Sequence, residues 1–255
     1  FPLRSEAHIA EDNALRIDWR TVCPAPDYII GNPPFVGYWL QSKEQKEDLL
    51  SVYIDEAGKP YKAAGRIDYV AGWHFKAAEM MRGTTTRSAL VSTNSITQGE
   101  QVALIWKPLV ERFGIHIDFA YRTFRWDSEM AEKAHVHCVI IGFSAAPSNH
   151  LPRIYDNNGD FIEVKHLNYY LMEADDVFVE SRSKPLGDVP NMIYGSKPAD
   201  GGRLIIEEED YADFIKKEPG ALPYIKRLVG AEEFINNKPR YCLWLVDASP
   251  AVIRK

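Results

Sequence analysis

The stretch Asp27-Tyr28-Ile29-Ile30-Gly31-Asn32-Pro33-Pro34-Phe35 carries residue types at a spacing that can do chemistry. Its first half reads as an apolar strand, and its second half cannot continue one. Pro33 and Pro34 lack backbone donors and fix φ, so the strand must stop at Asn32. An amide side chain, which offers a carbonyl acceptor and an NH₂ donor, is thereby held at a strand's carboxyl end with an aromatic ring nearby. In open α/β sheets that is the end where ligands bind. Asn32 and the adjacent Pro33 carbonyl can accept both hydrogens of an exocyclic amine while Phe35 stacks on the attached base. Asn-Pro alone would be read as a strand closed by a proline-rich turn. The whole unit favours the amine clamp.

The elements that must position this clamp follow from periodicity. Ser42 to Tyr53 reads as a helix with Ser42 as its N-cap. Ile67 to Met81 carries an apolar stripe near the helical period. Arg87 to Asn94 is a buried strand with a polar end, and Gln98 opens a helix running to about Phe113. Ile115 to Tyr121 alternates as a strand, and His137 to Phe143 is a continuous apolar one. Phe124 to Lys133 is expected to lie between those two strands as a loop. Before the clamp, Asn13 to Trp19 reads as a short strand or turn. Strands alternating with helices, then two late strands without a long helix between them, predict a mostly parallel sheet with one antiparallel strand.

From about Ser144 the chain becomes rich in Pro and Gly. Asn157-Asn158-Gly159 is expected to join Arg153–Tyr155 and Asp160–Val164 as a hairpin. Tyr211–Lys217 and Tyr224–Leu228 read as short helices. The acidic run Ile206–Asp210 reads as a helix N-terminus. We place a domain boundary near Ala146 to His150, giving domains 1–146 and 147–255.

Composition bounds the rest. The 255 residues are 45% hydrophobic and 26% charged, with a net charge of −6. That is an ordinary globular chain, without the overall basic charge of a whole-surface nucleic-acid binder. No apolar run reaches the length of a membrane span, and the N-terminus has no secretory pattern. Phe1 in place of Met points to a piece of a longer protein. Cys23, Cys138 and Cys242 are far apart, which argues for reduced cytoplasmic thiols and against disulfides or zinc. His135 and His137 share a strand face with no third ligand in sight, so no metal is expected.

Asn32 to Phe35 resembles the (D/N/S)-P-P-(Y/F) motif of S-adenosylmethionine-dependent amino-methyltransferases. Further blocks narrow the likeness to the MmeI-like, fused type IIL restriction-modification enzymes. They are Gly31–Gly37, Ser42–Gln45, Ile67–Val70, Val91–Ile96, Gln98–Val102, Phe119–Trp126, Ala134–Phe143, Gly195–Gly202, Phe234–Asn236 and Arg240–Leu245. Together they span nearly the whole chain. The resemblance implies an α/β fold: part of a Rossmann-like methyltransferase sheet, mostly parallel with one antiparallel strand, then an α+β target recognition domain, expected to be incomplete here.

The activity implied is N6-methylation of adenine in double-stranded DNA. Asn32, Pro33, Pro34 and Phe35 would be the catalytic motif, Asn32 also facing the cofactor, S-adenosylmethionine. Phe35 would stack on one face of the flipped base, and Phe124 or Trp126 on the other. Asn13 stands where many relatives have an Asp facing the cofactor adenine, with Asp12 adjacent; these two are the remaining cofactor candidates. A glycine-rich cofactor turn is absent from this chain and expected upstream, so the chain alone should be a poor enzyme. Arg182, Lys184, Lys197 and Arg203, set among Pro/Gly turns, are candidate DNA contacts. Two alternatives stay open: a non-catalytic DNA-reading module, and a protein-glutamine or RNA amino-methyltransferase.

Overall fold

The structure is a computed structural model, describing residues 7–62, 64–126, 136–191, 200–246 and 248–253. The chain divides into two compact units, Phe1–Arg182 and Ser183–Lys255.

In the first unit a short helix α1 (Trp19–Val22) precedes strand β1 (Tyr28–Gly31). Helix α2 (Lys43–Val52) follows, and its start is set locally. The Ser42 hydroxyl accepts from the Gln45 N–H, and the Gln45 side chain accepts from the Ser42 N–H, a reciprocal capping box. Helix α3 (Ala71–Met81) buries residues on nearly every side. A Cβ at its Gly72 would sit 3.0 Å from Leu15 and 3.2 Å from Leu49, so glycine permits the close approach of both. Strand β2 (Arg87–Thr93) then leads through a 3₁₀ turn (Asn94–Thr97) into helix α4 (Gly99–Phe113). Gly114, at φ 66°, closes α4, its N–H donating to the Val110 carbonyl.

Pro108 lies inside α4 and cannot donate to the carbonyl of Leu104, four residues back. The hydroxyl of the fully buried Tyr53 fills that gap, 2.8 Å from the Leu104 oxygen and 2.7 Å from that of Ile105. A residue just past the end of α2 thus repairs a defect in α4.

Strands β3 (His116–Trp126), β4 (Val136–Ser144), β5 (Arg153–Tyr155) and β6 (Phe161–Glu163) complete a six-stranded sheet of order β1-β2-β4-β3-β5-β6. The sheet is mostly parallel: β1, β2, β3 and β5 run one way. Both β4 and β6 run against them, one more antiparallel strand than expected. The added strand comes from the Asn-Asn-Gly hairpin, whose β5 pairs with β3 instead of opening a new domain. Residues 167–171 also pack on this unit, the Tyr169 hydroxyl donating to the Ile115 carbonyl at 2.5 Å. The first unit therefore ends at Arg182, later than the boundary near Ala146 to His150.

Strand β3 runs on to Trp126, where the sequence reading had a loop. Two register shifts, between Ile117 and Phe119 and between Tyr121 and Phe124, break the alternation that would have signalled a long strand. Helix α3 supplies the buried His74, stacked at 13° on Phe143 of β4 and edge-on to Trp106 of α4.

The second unit holds a separate antiparallel sheet of β7 (Ile205–Glu207), β8 (Ile225–Arg227) and β9 (Arg240–Leu243), with β9 central. Helix α5 (Glu208–Lys217) starts on Glu208, Glu209 and Asp210 and ends on Lys216 and Lys217, matching its macrodipole. Within Tyr224–Leu228, expected as helix, Ile225–Arg227 form strand β8 and Tyr224 ends a 3₁₀ helix; pairing of Lys226 with Cys242 overrides the helix-like apolar spacing. Helices α6 (Ala231–Asn236) and α7 (Pro250–Ile253) complete the unit. Glu233 of α6, 5% exposed, accepts from the Gly230 N–H at 2.7 Å and from Arg240 at 2.9 Å. No helix among the described residues is long and apolar enough to cross a membrane.

Candidate active site

β1 stops at Gly31, in parallel register with Leu90 of β2. Beyond it Asn32 is exposed, Pro33 is buried, Pro34 is exposed and Phe35 is half-buried. The buried proline anchors the turn and leaves the Asn32 amide in the open. Beside it lies a pocket of about 330 Å³ lined by Trp19, Trp73, Leu90 and residues 29–34. Neither tryptophan was singled out as a site residue from sequence.

The loop that leaves the motif is tied to residues 67–69 at three points. The Tyr69 N–H donates to the Val36 carbonyl at 2.9 Å, and the Tyr38 N–H to Asp68 Oδ1 at 3.0 Å. The buried Gln41 side chain donates to the Ile67 carbonyl at 2.9 Å. The other oxygen of Asp68, itself 7% exposed, accepts the Ser95 hydroxyl at 2.5 Å. Asp68 therefore joins the motif's loop to the carboxyl end of β2, where Asn94 and Ser95 form the 3₁₀ turn.

A second carboxylate organises the segment before β1. Asp48 of α2, 4% exposed, accepts from Arg16 Nε at 2.6 Å, Asn13 Nδ2 at 2.8 Å and the Tyr69 hydroxyl at 2.9 Å. Burial opposes its charge, but the hydrogen bonds from Arg16, Asn13 and Tyr69 outweigh that and hold the carboxyl below its usual range. Burial, then the neighbouring Asp48, pushes the Tyr69 phenol up to about 12, so it stays a donor at neutral pH. Tyr69 thus links the two networks, its hydroxyl on Asp48 and its backbone N–H on the motif's loop.

The expected cofactor pair sits at this second network. The Asn13 carbonyl oxygen accepts from the Leu15 N–H at 2.9 Å while its NH₂ serves Asp48. Asp12 is exposed and accepts from the Asn13 N–H at 2.6 Å. Trp19 connects this segment with the motif: its ring lines the pocket beside Asn32, and its indole N–H donates to the Ala14 carbonyl at 2.7 Å. The sequence signal for Asp48 was its place on the inward face of α2 beside Leu49, a position where an acid needs donors.

The remaining candidates are placed as follows. Phe124 and Trp126 lie on β3 rather than in a loop. Phe124, half-buried, faces Cys138 of β4, which in turn pairs with Thr93 of β2. They share the sheet end of Asn32 but stand three strand spacings from β1, about 14 Å. Arg182, Lys184 and Arg203 are exposed, the first in one unit and the other two in the second. Lys197 lies outside the described residues, as does His135. Among the described residues no cluster of three His, Cys, Asp or Glu could hold a metal.

Residues 1–156 match the family model "MmeI, DNA-methyltransferase domain", and residues 173–255 match "MmeI, target recognition domain". The chain belongs to the MmeI family. A solved structure of the type IIL restriction-modification enzyme MmeI in complex with DNA superposes on it with a TM-score of 0.88 at 44% identity, covering 100% of this chain and 34% of that one. DNA methyltransferase A of Bacillus subtilis (strain 168) is 39% identical over 252 residues, 97% of this chain and 28% of the relative. The chain thus spans about a third of the length of these two relatives. The family's two named domains fall on either side of residues 157–172, a stretch that begins in the β5-β6 turn, includes β6 and lies within the first unit.

Proposed function

We propose that this chain supplies the target-base half of an S-adenosylmethionine-dependent DNA adenine-N6 methyltransferase, together with a domain that reads double-stranded DNA. The observation that carries this reading is the exposed Asn32 amide, held at the carboxyl end of β1 by the buried Pro33 and bordered by the pocket under Trp19 and Trp73.

The adenine N6 lone pair is delocalised into the ring and is a weak nucleophile. Asn32 and the Pro33 carbonyl accept the two amino hydrogens, which favours a pyramidal nitrogen whose lone pair points out of the ring plane. The bound donor supplies an electrophilic methyl group. What this chain contributes is orientation, worth several powers of ten when reacting atoms are held in line. A strong base is unnecessary, because the proton becomes acidic once the nitrogen carries the methyl group. Phe35 is assigned to one face of the base; Phe124, at the same sheet end but three strands from β1, can close the other only with a base that lies out over β2 and β4. The base reaches this clamp only after leaving the duplex.

The residues present fit one wall of a cofactor crevice. Asn32 and the Trp19 and Trp73 rings offer a polar group over an apolar floor, and the exposed Asp12 carboxylate stands beside the Asn13 segment. Asn13, with both side-chain atoms engaged, shapes that segment more than it reads a ligand. Strand β1 has β2 on one side, and its Tyr28 and Ile30 are 69% and 80% exposed. Those two side chains leave one face of β1 uncovered, while its unpaired backbone edge is a pairing surface, and we assign that edge to further strands carrying the other cofactor wall. Arg182, Lys184, Lys197 and Arg203 are assigned to DNA contacts, phosphate first.

The test is to offer the full-length protein a donor with a labelled methyl group and, in parallel, duplex DNA, RNA and protein. Label in N6-methyladenine of the duplex is the expected result. Label confined to RNA or protein would refute the substrate, and DNA binding without any transfer would favour a non-catalytic reader.

A further inference from the structure

Four residues past Phe35 the chain presents two adjacent large apolar side chains to solvent. Trp39 is 80% and Leu40 82% exposed. Exposed apolar residues are common singly, but these two sit on a backbone fixed from both ends. Val36 and Tyr38 are hydrogen-bonded to Tyr69 and Asp68, and Gln41 is buried with its amide on Ile67. The Leu40 N–H closes the turn on the Gly37 carbonyl at 2.8 Å. The Tyr38 ring stands 4.4 Å from the Trp39 ring at 36° and braces it from one side. The result is a stiff, aromatic tip that follows the candidate clamp in the chain after Val36 alone.

Resting on the adenine reading above, we propose that the Gly37–Leu40 turn is a wedge for duplex DNA, with Trp39 filling the space in the base stack that the extruded adenine leaves. A base that leaves its stack exposes the faces of its two neighbours and orphans its partner. Apolar side chains inserted between base steps are a known means of replacing such contacts. A filler has to project from close to the clamp, or it cannot occupy the gap while the clamp holds the base. It also has to be rigid, because ordering a mobile loop would offset the stacking gained. The turn meets both demands. Its one covalent connection to the clamp is Val36, and its backbone is hydrogen-bonded before DNA arrives. Leu40 extends the apolar tip toward the neighbouring step, and Asp68, which holds both Tyr38 and Ser95, fixes the tip relative to the end of β2.

The experiment compares two substrates in the full-length protein: a duplex carrying its methylation site, and the same duplex with an abasic position opposite the target adenine. Trp39→Ala should lose ~10- to 100-fold in kcat/KM on the paired site, the range that one aromatic–base stack is worth. It should stay within ~3-fold of wild type on the unpaired site, where extrusion costs little, and its melting temperature should not change. Trp39→Phe should fall between wild type and Trp39→Ala on the paired site. Equal losses on both substrates, or a lowered melting temperature with them, would mean that Trp39 packs on another part of the protein, and would overturn the wedge. So would full activity on both. If wild-type protein methylates adenine in neither duplex, the adenine reading itself fails and takes the wedge with it, a pattern distinct from the others.

Discussion

Replacing Asp48 with Ala removes one acceptor from three donors at once. Arg16 is 55% exposed at its side chain and can return to water, so its loss adds little. Tyr69, 5% exposed, and the half-buried Asn13 cannot do so fully. Each hydrogen bond to a charged acceptor contributes about 1.5 kcal/mol or more. The expected loss is therefore about 3 kcal/mol at pH 7, or ~6–12 °C in melting temperature for a unit of this size. Asp48→Asn keeps an acceptor and the shape and should lose about half as much. The pH dependence has a definite sign. A carboxyl held below its usual range stabilises the fold fully above the unfolded value near 3.9, and that contribution is lost as pH falls through the lower folded value. The gap between wild type and Asp48→Ala should thus be widest near neutrality and close at low pH. In the full-length enzyme the same change should raise KM for the methyl donor more than it lowers kcat, because it frees the Asn13 segment. A melting temperature for Asp48→Ala within ~1 °C of wild type at pH 7 would refute the reasoning, since even one lost buried hydrogen bond should exceed that.

Tyr53→Phe should cost about 1–3 kcal/mol by urea unfolding, because it leaves the Leu104 carbonyl without a donor. Adding Pro108→Ala to it should recover about 1 kcal/mol by restoring the helical N–H, a coupling readable in a double-mutant cycle. His74 is fully buried, and burial lowers its pKa to about 4. Its folded value lies below the unfolded 6.5, so stability is complete above about 6.5 and declines by about 3 kcal/mol as pH falls to 4. His74→Phe should flatten that slope in melting temperature against pH, and an unchanged slope would show that His74 is not its source.

What could be read from sequence was what covalent constraint and short-range pattern decide. Pro33 and Pro34 end β1 whatever surrounds them, Ser42 and Gln45 cap α2 within four residues, and Gly114 stops α4. What could not be read depends on long-range pairing. Two bulges carry β3 five residues past Tyr121, and β8 is a strand only because β9 lies beside it. The hairpin after Pro152 reads correctly as a hairpin, but nothing local says that β5 will join β3. The same holds for the site. Asn32 to Phe35 stand out as a candidate clamp from their order alone, and the structure places Asn32 exposed just past the end of β1. Asp48 meets Asn13 across 35 positions, and Asp68 meets Tyr38 across 30; in sequence both are ordinary helix-side acids.

The central claim is that Asn32 orients the amino group that receives the methyl. The direct measurement is single-turnover formation of N6-methyladenine in duplex DNA by full-length wild-type and Asn32→Ala protein. The account predicts a loss of at least ~100-fold in the transfer rate, the scale of a misplaced reacting group, with DNA binding and melting temperature preserved. Methylation of adenine at the wild-type rate by Asn32→Ala would contradict it.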